Sequence, residues 1–294
     1  MVVSLFDPWQ SRLCTCPKKY SLNPYTGCSH GCVYCYITSY IPRGFKARLK
    51  KNLLKQLKRE LTKLDPRIPV TISNSSDPYQ PLEKDYRQTR ACLELLKNFN
   101  FKVQIVTKGD LVVRDAQLLA EMRAAVAITI TTLDDAIAAK LEPFAPPPEC
   151  RLRALQHLAE RDIPVACRID PIIPGINDDV AELVKELADI GVSHVTSSTF
   201  KPRPDSWRRF SEAFPEAAAR LKELYFEKGT RMQNSYYLPE EVRFRLMQRV
   251  RDACDKHGVT FATCREDFKL NTAPSCDGTH LLWSSYTSDA QRTY

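Results

Sequence analysis

The sequence predicts an α/β fold in which parallel strands alternate with helices. Short runs rich in β-branched residues alternate with helical segments between residues 68 and 200, as in successive parallel βαβ units. The chain has 294 residues, of which 43% are hydrophobic, so it can bury one large core. Beyond residue 205 the pattern becomes mainly helical. We therefore predict a core domain at 1–205 and a C-terminal extension at 206–294 that packs on it.

The elements follow one another in a regular order. Strands are predicted at 68–73, 101–107, 125–131, 164–170 and 194–200, with a sixth before or at the cysteine-rich stretch that precedes them. Helices are predicted at 87–98, 115–123, 151–161 and 180–191, and in the extension at 216–227 and 239–256. A last short strand is predicted at 259–262. Functional side chains are expected in the loops at the carboxyl ends of the parallel strands.

A cysteine triplet is the most specific signal in the chain. Cys28, Cys32 and Cys35 have the spacing C-x3-C-x2-C among glycines and aromatic residues. Thiolates are the usual ligands of iron–sulfur clusters, and a [4Fe-4S] cube held by only three of them has one iron free to bind a reactant. The alternative metal is zinc, because Cys14 and Cys16 lie just upstream. Together with Cys32 and Cys35 they would form a four-thiolate set.

The triplet resembles the hallmark of the radical S-adenosylmethionine (radical SAM) superfamily, C-x3-C-x-aromatic-C, with Tyr34 in the aromatic position. Further segments are similar to the spore photoproduct lyase-like (DNA repair photolyase-like) branch: 21–28, 75–83, 105–108, 128–134, 141–143 and 171–178. The resemblance implies a partial (β/α)6 barrel, a [4Fe-4S] cluster and an electron donor such as ferredoxin or flavodoxin. It implies that the enzyme cleaves S-adenosylmethionine to a 5′-deoxyadenosyl radical, which abstracts hydrogen from a substrate.

The same resemblance assigns roles to individual residues. Tyr34 and Tyr36 match two tyrosines that assist catalysis in spore photoproduct lyases. The cofactor-binding positions that it implies are Tyr34, Ser75, Ser76, Asp77, Lys108, Thr131, Pro174 and Gly175. Ser76 and Lys108 match contacts to the methionine carboxylate. Considered without the resemblance, 75–77 is a helix N-cap before Pro78 and Lys108 is a surface lysine.

One position departs from the branch. In spore photoproduct lyases a cysteine after the second strand returns a hydrogen atom to the product, and alignment places Asn74 there. We therefore expect a relative of these lyases that acts on a different substrate.

A basic segment at 43–67 carries the net charge of the chain. It holds ten Lys or Arg against Glu60 and Asp65, a net charge of +8, which equals the +8 of the whole chain. Its apolar residues recur at helical spacing, which predicts one amphipathic helix with a basic outer face. Such a face is either simply solvated or a contact for the phosphates of a nucleic acid, DNA or tRNA.

Two further cysteines lie near the C-terminus, Cys264 and Cys276. With Cys14 and Cys16 they would form a second four-thiolate site joining the two ends of the chain, either a second [4Fe-4S] cluster or zinc. The alternative is that these are unliganded thiols at the barrel mouth, one of them a hydrogen donor.

Composition points to an intracellular protein. The sequence shows no signal peptide and no apolar run long enough to span a membrane, and its eleven cysteines have metal-type spacing. We therefore predict a cytoplasmic enzyme in a reducing compartment. The alternative function is a zinc-stabilised, basic nucleic-acid-binding module without SAM chemistry.

Overall fold

The computed structural model describes residues 1–6, 13–72 and 75–284. Its strands are β1 (Val3–Leu5), β2 (Tyr20–Leu22), β3 (Tyr25–Thr26), β4 (Arg48–Leu49), β5 (Val70–Ile72), β6 (Val103–Thr107), β7 (Ala124–Thr129), β8 (Val165–Ile172), β9 (His194–Thr199), β10 (Thr230–Met232), β11 (Ser235–Tyr237) and β12 (Thr260–Thr263). Eight of them form one sheet in the order β1-β2-β5-β6-β7-β8-β9-β12. All neighbours in this sheet are parallel except β1 and β2.

The helices cover the parallel strands and build the C-terminal part. They are α1 (Leu53–Leu61), α2 (Leu82–Tyr86), α3 (Gln88–Asn98), α4 (Ala116–Ala120), α5 (Asp135–Leu141), α6 (Pro148–Ala159), α7 (Ala181–Ile190), α8 (Pro204–Ala213), α9 (Pro215–Phe226), α10 (Glu240–Lys256) and α11 (Leu281–Ser284). Among the described residues, 3-10 helices lie at Ile37–Ser39 and Asp110–Asp115.

The six predicted parallel strands are confirmed as β2 and β5 to β9, and they form the partial (β/α)6 barrel. The predicted strand at 259–262 is β12, which pairs in parallel with β9 and so extends the same sheet from the C-terminal part of the chain. Strands β5, β7 and β9 are buried along their whole length, because helices cover one face and the barrel interior lies on the other.

The prediction of one helix over 43–67 is wrong. Only Leu53–Leu61 is helical, and it buries Leu53, Leu57 and Leu61. Upstream, Arg48–Leu49 pairs as a strand with Tyr25–Thr26, and Asn52 has a left-handed backbone (φ +56°) that separates strand from helix. The helical spacing of apolar residues runs through the whole segment. Its first part nevertheless pairs with β3, just before the cluster loop, and does not join helix α1.

The C-terminal segment packs into part of the barrel interior. Ala125, Ala127 and Ala166 point into the interior, where they pack with Leu281 and Leu282 of α11. Their neighbours along the strands belong to the main core under the helices. Small side chains on the inner face thus leave room for a segment that comes from the end of the chain.

Gly27, at the start of the cluster loop, gives the first testable prediction. It has φ +78°, and a Cβ there would lie 2.9 Å from the Gly44 carbonyl oxygen and nearer still to that of Lys46. Gly258 also has a left-handed backbone (φ +69°), but nothing lies within 4 Å of its Cβ position. We expect Gly258→Ala to lower the free energy of unfolding by about 1 kcal/mol.

Gly27→Ala should lower that free energy by at least about 2 kcal/mol more, because the β3–β4 backbone must also move. Urea unfolding followed by circular dichroism measures both variants. An equal decrease in the free energy of unfolding of the two variants would show that the close approach of the backbone at Gly27 does not affect stability.

Candidate active site

A cavity of about 320 Å³ lies at the carboxyl ends of the parallel strands. It brings together most of the residues that the sequence predicted for the site. Those that line it are Cys14, Cys16, Cys28, Cys32, Tyr34, Cys35, Tyr36, Ser75, Asp77, Lys108, Cys264 and Cys276. The triplet and the second set of four cysteines therefore share one cavity.

The cluster loop, residues 27–36, is fixed by backbone contacts to the strand-end loops. Gln80, after β5, accepts a hydrogen bond from the Ser29 backbone N–H (2.9 Å) and donates one to the Gly27 carbonyl (3.1 Å). The Cys28 N–H donates to the Gly44 carbonyl at 2.8 Å. These bonds hold the loop before any metal contributes.

The far end of the cluster loop is held by the C-terminal part of the chain. Arg209, on α8, donates to the carbonyl oxygens of Val33 (3.2 Å) and Cys35 (2.5 Å) and pairs with Asp205 (3.3 Å). The Val33 N–H donates to the Leu141 carbonyl at 2.9 Å. Arg209 is a positioning residue that the sequence analysis missed, since its partners are backbone atoms remote in sequence.

Of the three thiols of the triplet, Cys32 is buried, and Cys28 and Cys35 are half-buried. Burial raises the pKa of Cys28 to about 12, and it also raises the pKa values of Cys32 and Cys35. Each pKa is raised further by another thiol of the triplet or by a nearby carboxyl group. Bound cations reverse this effect, because a coordinating thiol is deprotonated.

Asp77 joins the loop after β5 to the loop after β6. Its carboxylate accepts from the backbone N–H groups of Tyr79 (2.9 Å) and Lys108 (2.7 Å) and from the Thr107 hydroxyl (2.6 Å). With these bonds both of its oxygens are engaged. Asp77 therefore positions Lys108 through the backbone.

His30, within the cluster loop, faces the same carboxylate. It is 1% exposed, and its Nδ1 lies 3.5 Å from Asp77 Oδ2. Neither ring nitrogen has a hydrogen-bond partner among the described residues. Burial lowers the pKa of His30, although Asp77 opposes this. A neutral, buried imidazole beside the triplet is the feature of this loop that the sequence did not reveal.

Glu142 is buried beside the triplet and binds three groups. Its Oε1 accepts from the Tyr34 hydroxyl and lies 4.0 Å from Lys108 Nζ. Its Oε2 accepts from Arg151, which also donates to the Thr129 carbonyl at 3.0 Å. Burial alone would raise the pKa of Glu142, but Arg151 and Lys108 lower it below its usual range. We call Tyr34, Lys108, Glu142 and Arg151 the Glu142 cluster.

Lys108 is the cation of this cluster that faces the cavity. Its Nζ lies 5.5 Å from the centre of the Tyr34 ring. Burial disfavours its charge, yet Cys32 and Glu142 outweigh burial, and the pKa of Lys108 is raised. The lysine is therefore charged in the cavity, which makes it suited to bind an anionic group.

Four predicted cofactor-binding residues do not line the cavity. Ser76 is buried behind its wall, and Gly175 is exposed with its N–H bonded to Asp178 (2.8 Å). Pro174 lies next to Gly175 in the same outer loop. Thr131 is buried, and its hydroxyl has no hydrogen-bond partner among the described residues. Asn74, the predicted departure from the lyases, lies outside the described residues.

The opposite wall carries charged residues that the sequence analysis did not single out. Arg168 pairs with Asp170 at 2.6 Å, and Lys201 pairs with Glu266 at 2.5 Å. Arg265 lines this wall beside Cys264, with a left-handed backbone (φ +56°). Tyr36 also lines the cavity. Burial raises the pKa of Tyr36, and the Arg265 guanidinium partly opposes that rise. Arg168 and Asp170 lie on β8, whereas Lys201 follows β9 and Arg265 and Glu266 follow β12, so no single local motif contains them.

The second set of cysteines is gathered from both ends of the chain. Cys16 Sγ lies 3.6 Å from Cys276 Sγ. A hydrogen bond between Cys14 and Cys16 lowers the pKa of Cys14 to about 7 and raises that of Cys16 to about 12. Cys264 lies within electrostatic range of both.

Within the described residues, no group of three or more His, Cys, Asp or Glu side chains is arranged to hold a metal ion. The triplet nevertheless fits a [4Fe-4S] cluster by its chemistry: three thiols line one cavity, next to a charged lysine and a histidine that has no hydrogen-bond partner within the described part of the chain. A four-iron cube also spaces its thiolates more widely than a single ion does.

His194, on the inner face of β9, predicts a pH dependence of stability. It is buried, and its Nδ1 lies 3.0 Å from the Thr260 hydroxyl. Burial, aided by His280, lowers the pKa of His194 to about 4. In the unfolded chain a histidine titrates near 6.5, so the unfolded state gains its proton first as the pH falls.

The stability that neutral His194 contributes is therefore complete above about pH 6.5 and is lost as the pH falls toward 4, by up to about 3 kcal/mol. We expect His194→Gln to flatten the fall in the free energy of unfolding between pH 6.5 and 4.5, measured by urea titration of the metal-free full chain. Parallel pH curves for the two proteins would contradict this assignment.

In the part of the chain that the structure describes, no helix is both long and apolar enough to cross a membrane.

Two solved structures share this fold. Spore photoproduct lyase complexed with dinucleoside spore photoproduct matches with a TM-score of 0.65 at 19% identity, over 82% of this chain and 75% of that chain. Streptococcus suis SuiB bound to the precursor peptide SuiA matches with a TM-score of 0.56 at 16% identity, over 83% of this chain and 48% of that chain. The predicted barrel class is thus confirmed.

Sequence comparison gives the family. An uncharacterized protein of Acidianus two-tailed virus is 30% identical over 252 residues, which are 74% of this chain and 80% of that protein. The family model of the radical SAM superfamily matches residues 22–188, which include the triplet and strands β3 to β8. This match favours the enzyme over the alternative of a zinc-stabilised binding module. The chain therefore belongs to the radical SAM superfamily, and the protein is an enzyme.

Proposed function

We propose that Cys28, Cys32 and Cys35 hold a [4Fe-4S] cluster whose open iron binds S-adenosylmethionine in the cavity. When bound and reduced, for example by a ferredoxin or flavodoxin, the cluster supplies the electron that cleaves S-adenosylmethionine to methionine and a 5′-deoxyadenosyl radical, which takes hydrogen from the substrate. The observation that carries this proposal is that all three thiols share one cavity with a charged, half-buried lysine.

The chain's own residues bind and orient the cofactor. The methionine end of S-adenosylmethionine carries a carboxylate, and Lys108 is a charged donor that lines the same cavity as the triplet. Asp77 fixes the Lys108 backbone at 2.7 Å. Glu142 sets the position of the Lys108 ammonium and of the Tyr34 ring beneath it. A preorganised cation of this kind binds a carboxylate without rearrangement of the site.

Burial of the cavity wall limits the access of water to a radical formed in the cavity. Cys32, His30 and Thr107 are all buried around the cavity. Few water molecules can reach a buried wall of this kind, so side reactions with solvent are suppressed. Tyr36, on the side of Arg168 and Arg265, is the aromatic residue that we assign to the substrate half of the cavity.

A nucleic acid is the substrate class that we propose. The spore photoproduct lyase structure is complexed with a dinucleoside, and the SuiB structure with a peptide, which favours a macromolecular substrate. Of the ten Lys and Arg residues in the basic segment 43–67, eight are exposed, so the charge is available to phosphates although only part of the segment is helical.

This substrate class predicts a change in salt dependence. Replacing Lys55, Lys58 and Lys63 with alanine should weaken binding of a fluorescent single-stranded DNA and reduce the slope of log affinity against log salt by about 1 for each phosphate that the variant no longer neutralises. The matched control removes the same charge elsewhere, at the exposed Lys222, Lys228 and Lys256. Fluorescence anisotropy at several salt concentrations measures the slopes. Equal slopes for the two triple variants would contradict binding through segment 43–67.

Electron paramagnetic resonance tests the cofactor site. The anaerobically reconstituted, reduced protein should show a [4Fe-4S] signal that changes when S-adenosylmethionine is added, because the ligand binds the open iron. Cys32→Ala should abolish the signal, whereas Cys150→Ser, outside the cavity, should preserve it. A signal that S-adenosylmethionine leaves unchanged, or that survives in Cys32→Ala, would contradict the proposal.

A further inference from the structure

The second set of cysteines is a separate site built from both ends of the chain. Cys14 and Cys16 precede β2, Cys264 follows β12, and Cys276 lies in the C-terminal segment. All four line the same cavity. Because residues so far apart in sequence converge there, their proximity is a property of the fold and not of a local motif.

The backbone around these thiols is fixed by other contacts. Lys19 and Asp277 form an ion pair, with side chains only 3% and 7% exposed. Gln104 donates to the Asp277 carbonyl oxygen at 2.5 Å, and Thr196 donates to that of Cys276 at 2.9 Å. The segment that carries Cys276 is therefore anchored to β6 and β9 without any contribution from sulfur.

The spacing of the sulfur atoms fits one small ion. With a zinc–sulfur bond of about 2.3 Å, two thiolates of a tetrahedral site lie about 3.8 Å apart. Cys16 Sγ and Cys276 Sγ are 3.6 Å apart, close to one edge of such a tetrahedron. Cys14 hydrogen-bonds to Cys16, so it lies next to this edge. Within the described residues, the four sulfur atoms are not arranged around a common centre. Zinc binding therefore requires the side chains of Cys14 and Cys264 to rotate toward Cys16 and Cys276.

The charges around the site also suit a tetrathiolate. Zinc with four thiolates has a net charge of about −2. Lys19, Arg168 and Arg265 line the same cavity, and Arg168 hydrogen-bonds to the Cys264 thiol. Lys19 and Arg168 are also paired with Asp277 and Asp170, so they offset only part of the negative charge of a buried tetrathiolate, and Arg265 adds a third positive charge.

We propose that Cys14, Cys16, Cys264 and Cys276 bind one Zn²⁺ as a structural tetrathiolate that joins the two ends of the chain at the cavity wall. A four-iron cluster would need wider sulfur spacing. A disulfide between Cys16 and Cys276 would need the sulfur atoms at about 2.05 Å and would leave the other two thiols without a role. The zinc site does not depend on the cluster of the triplet.

The test uses the full chain with Cys28, Cys32 and Cys35 replaced by serine, so that iron at the triplet does not contribute. Zinc measured by atomic spectroscopy should be one ion per chain in this variant. Adding Cys276→Ser should reduce it to traces, whereas the matched change Cys254→Ser, at a buried cysteine on α10, should leave it unchanged. If Cys276→Ser does not fold, Cys14→Ser, at a half-buried position, gives the same comparison.

Cobalt replacement of the zinc should give the visible spectrum of a tetrahedral tetrathiolate. Three results would overturn the proposal: no zinc in the folded triple variant, an iron–sulfur cluster that reconstitutes on that variant, or a mass two units lower that shows a Cys16–Cys276 disulfide. None of these depends on S-adenosylmethionine cleavage, so failure here is distinguishable from failure of the proposed function.

Discussion

Replacing Arg151 with methionine should lower the free energy of unfolding by about 3–5 kcal/mol, because it leaves the buried Glu142 carboxylate without its main counter-ion. The Arg151 side chain is 1% exposed, and it also donates to the backbone carbonyl oxygens of Thr129 and Pro146. Lys108, whose Nζ is 4.0 Å from Glu142, replaces only part of the missing interaction.

Helix α6 contains a matched control two residues away. Arg153 pairs with Glu149 at 2.8 Å, but both side chains are exposed to solvent. Arg153→Met should therefore leave the free energy of unfolding close to that of the unchanged protein, since surface ion pairs contribute little. Urea unfolding at neutral pH measures both variants. A similar stability for Arg151→Met and Arg153→Met would show that the Glu142 cluster does not stabilise the site.

Replacing Lys108 with methionine should weaken S-adenosylmethionine binding about 10- to 100-fold, the range expected when one charge-assisted hydrogen bond is removed. Methionine retains most of the length and the apolar stem of lysine but removes the ammonium group. Because Asp77 binds the backbone N–H of residue 108 and not its side chain, the loop after β6 should keep its conformation.

Isothermal titration of S-adenosylmethionine into the reconstituted protein, under anaerobic conditions, measures this effect. Lys140→Met is the control, since Lys140 is exposed on α5 and does not line the cavity. Iron content and the [4Fe-4S] signal should be the same in both variants. An unchanged affinity in Lys108→Met would show that another group binds the methionine carboxylate.

The sequence predicted the parallel strands well because their signal is local. Strands such as β5, β7 and β9 are buried throughout, so each appears as a short apolar or β-branched run between helical segments. The segment 43–67 failed because leucine spacing does not report where a helix begins. Leu49 fits the helical spacing of the segment, yet it lies in strand β4 and is 39% exposed.

The active-site thiols were predictable for the same reason, since a triplet within eight residues is a local motif. The residues that position them were not. Tyr34 and Glu142 are 108 positions apart, Arg209 lies 174 positions from Cys35, and Lys19 lies 258 positions from Asp277. Such pairs form only when the barrel closes, so no window of sequence contains the information that joins them.

The measurement that tests the central claim most directly is formation of 5′-deoxyadenosine from S-adenosylmethionine by the anaerobically reconstituted, reduced protein. We expect the product with the unchanged chain and with Cys150→Ser, and none with Cys28→Ala, Cys32→Ala or Cys35→Ala. Product that persists without any one of the three triplet thiols, or no product from a protein that holds a complete [4Fe-4S] cluster, would contradict the account.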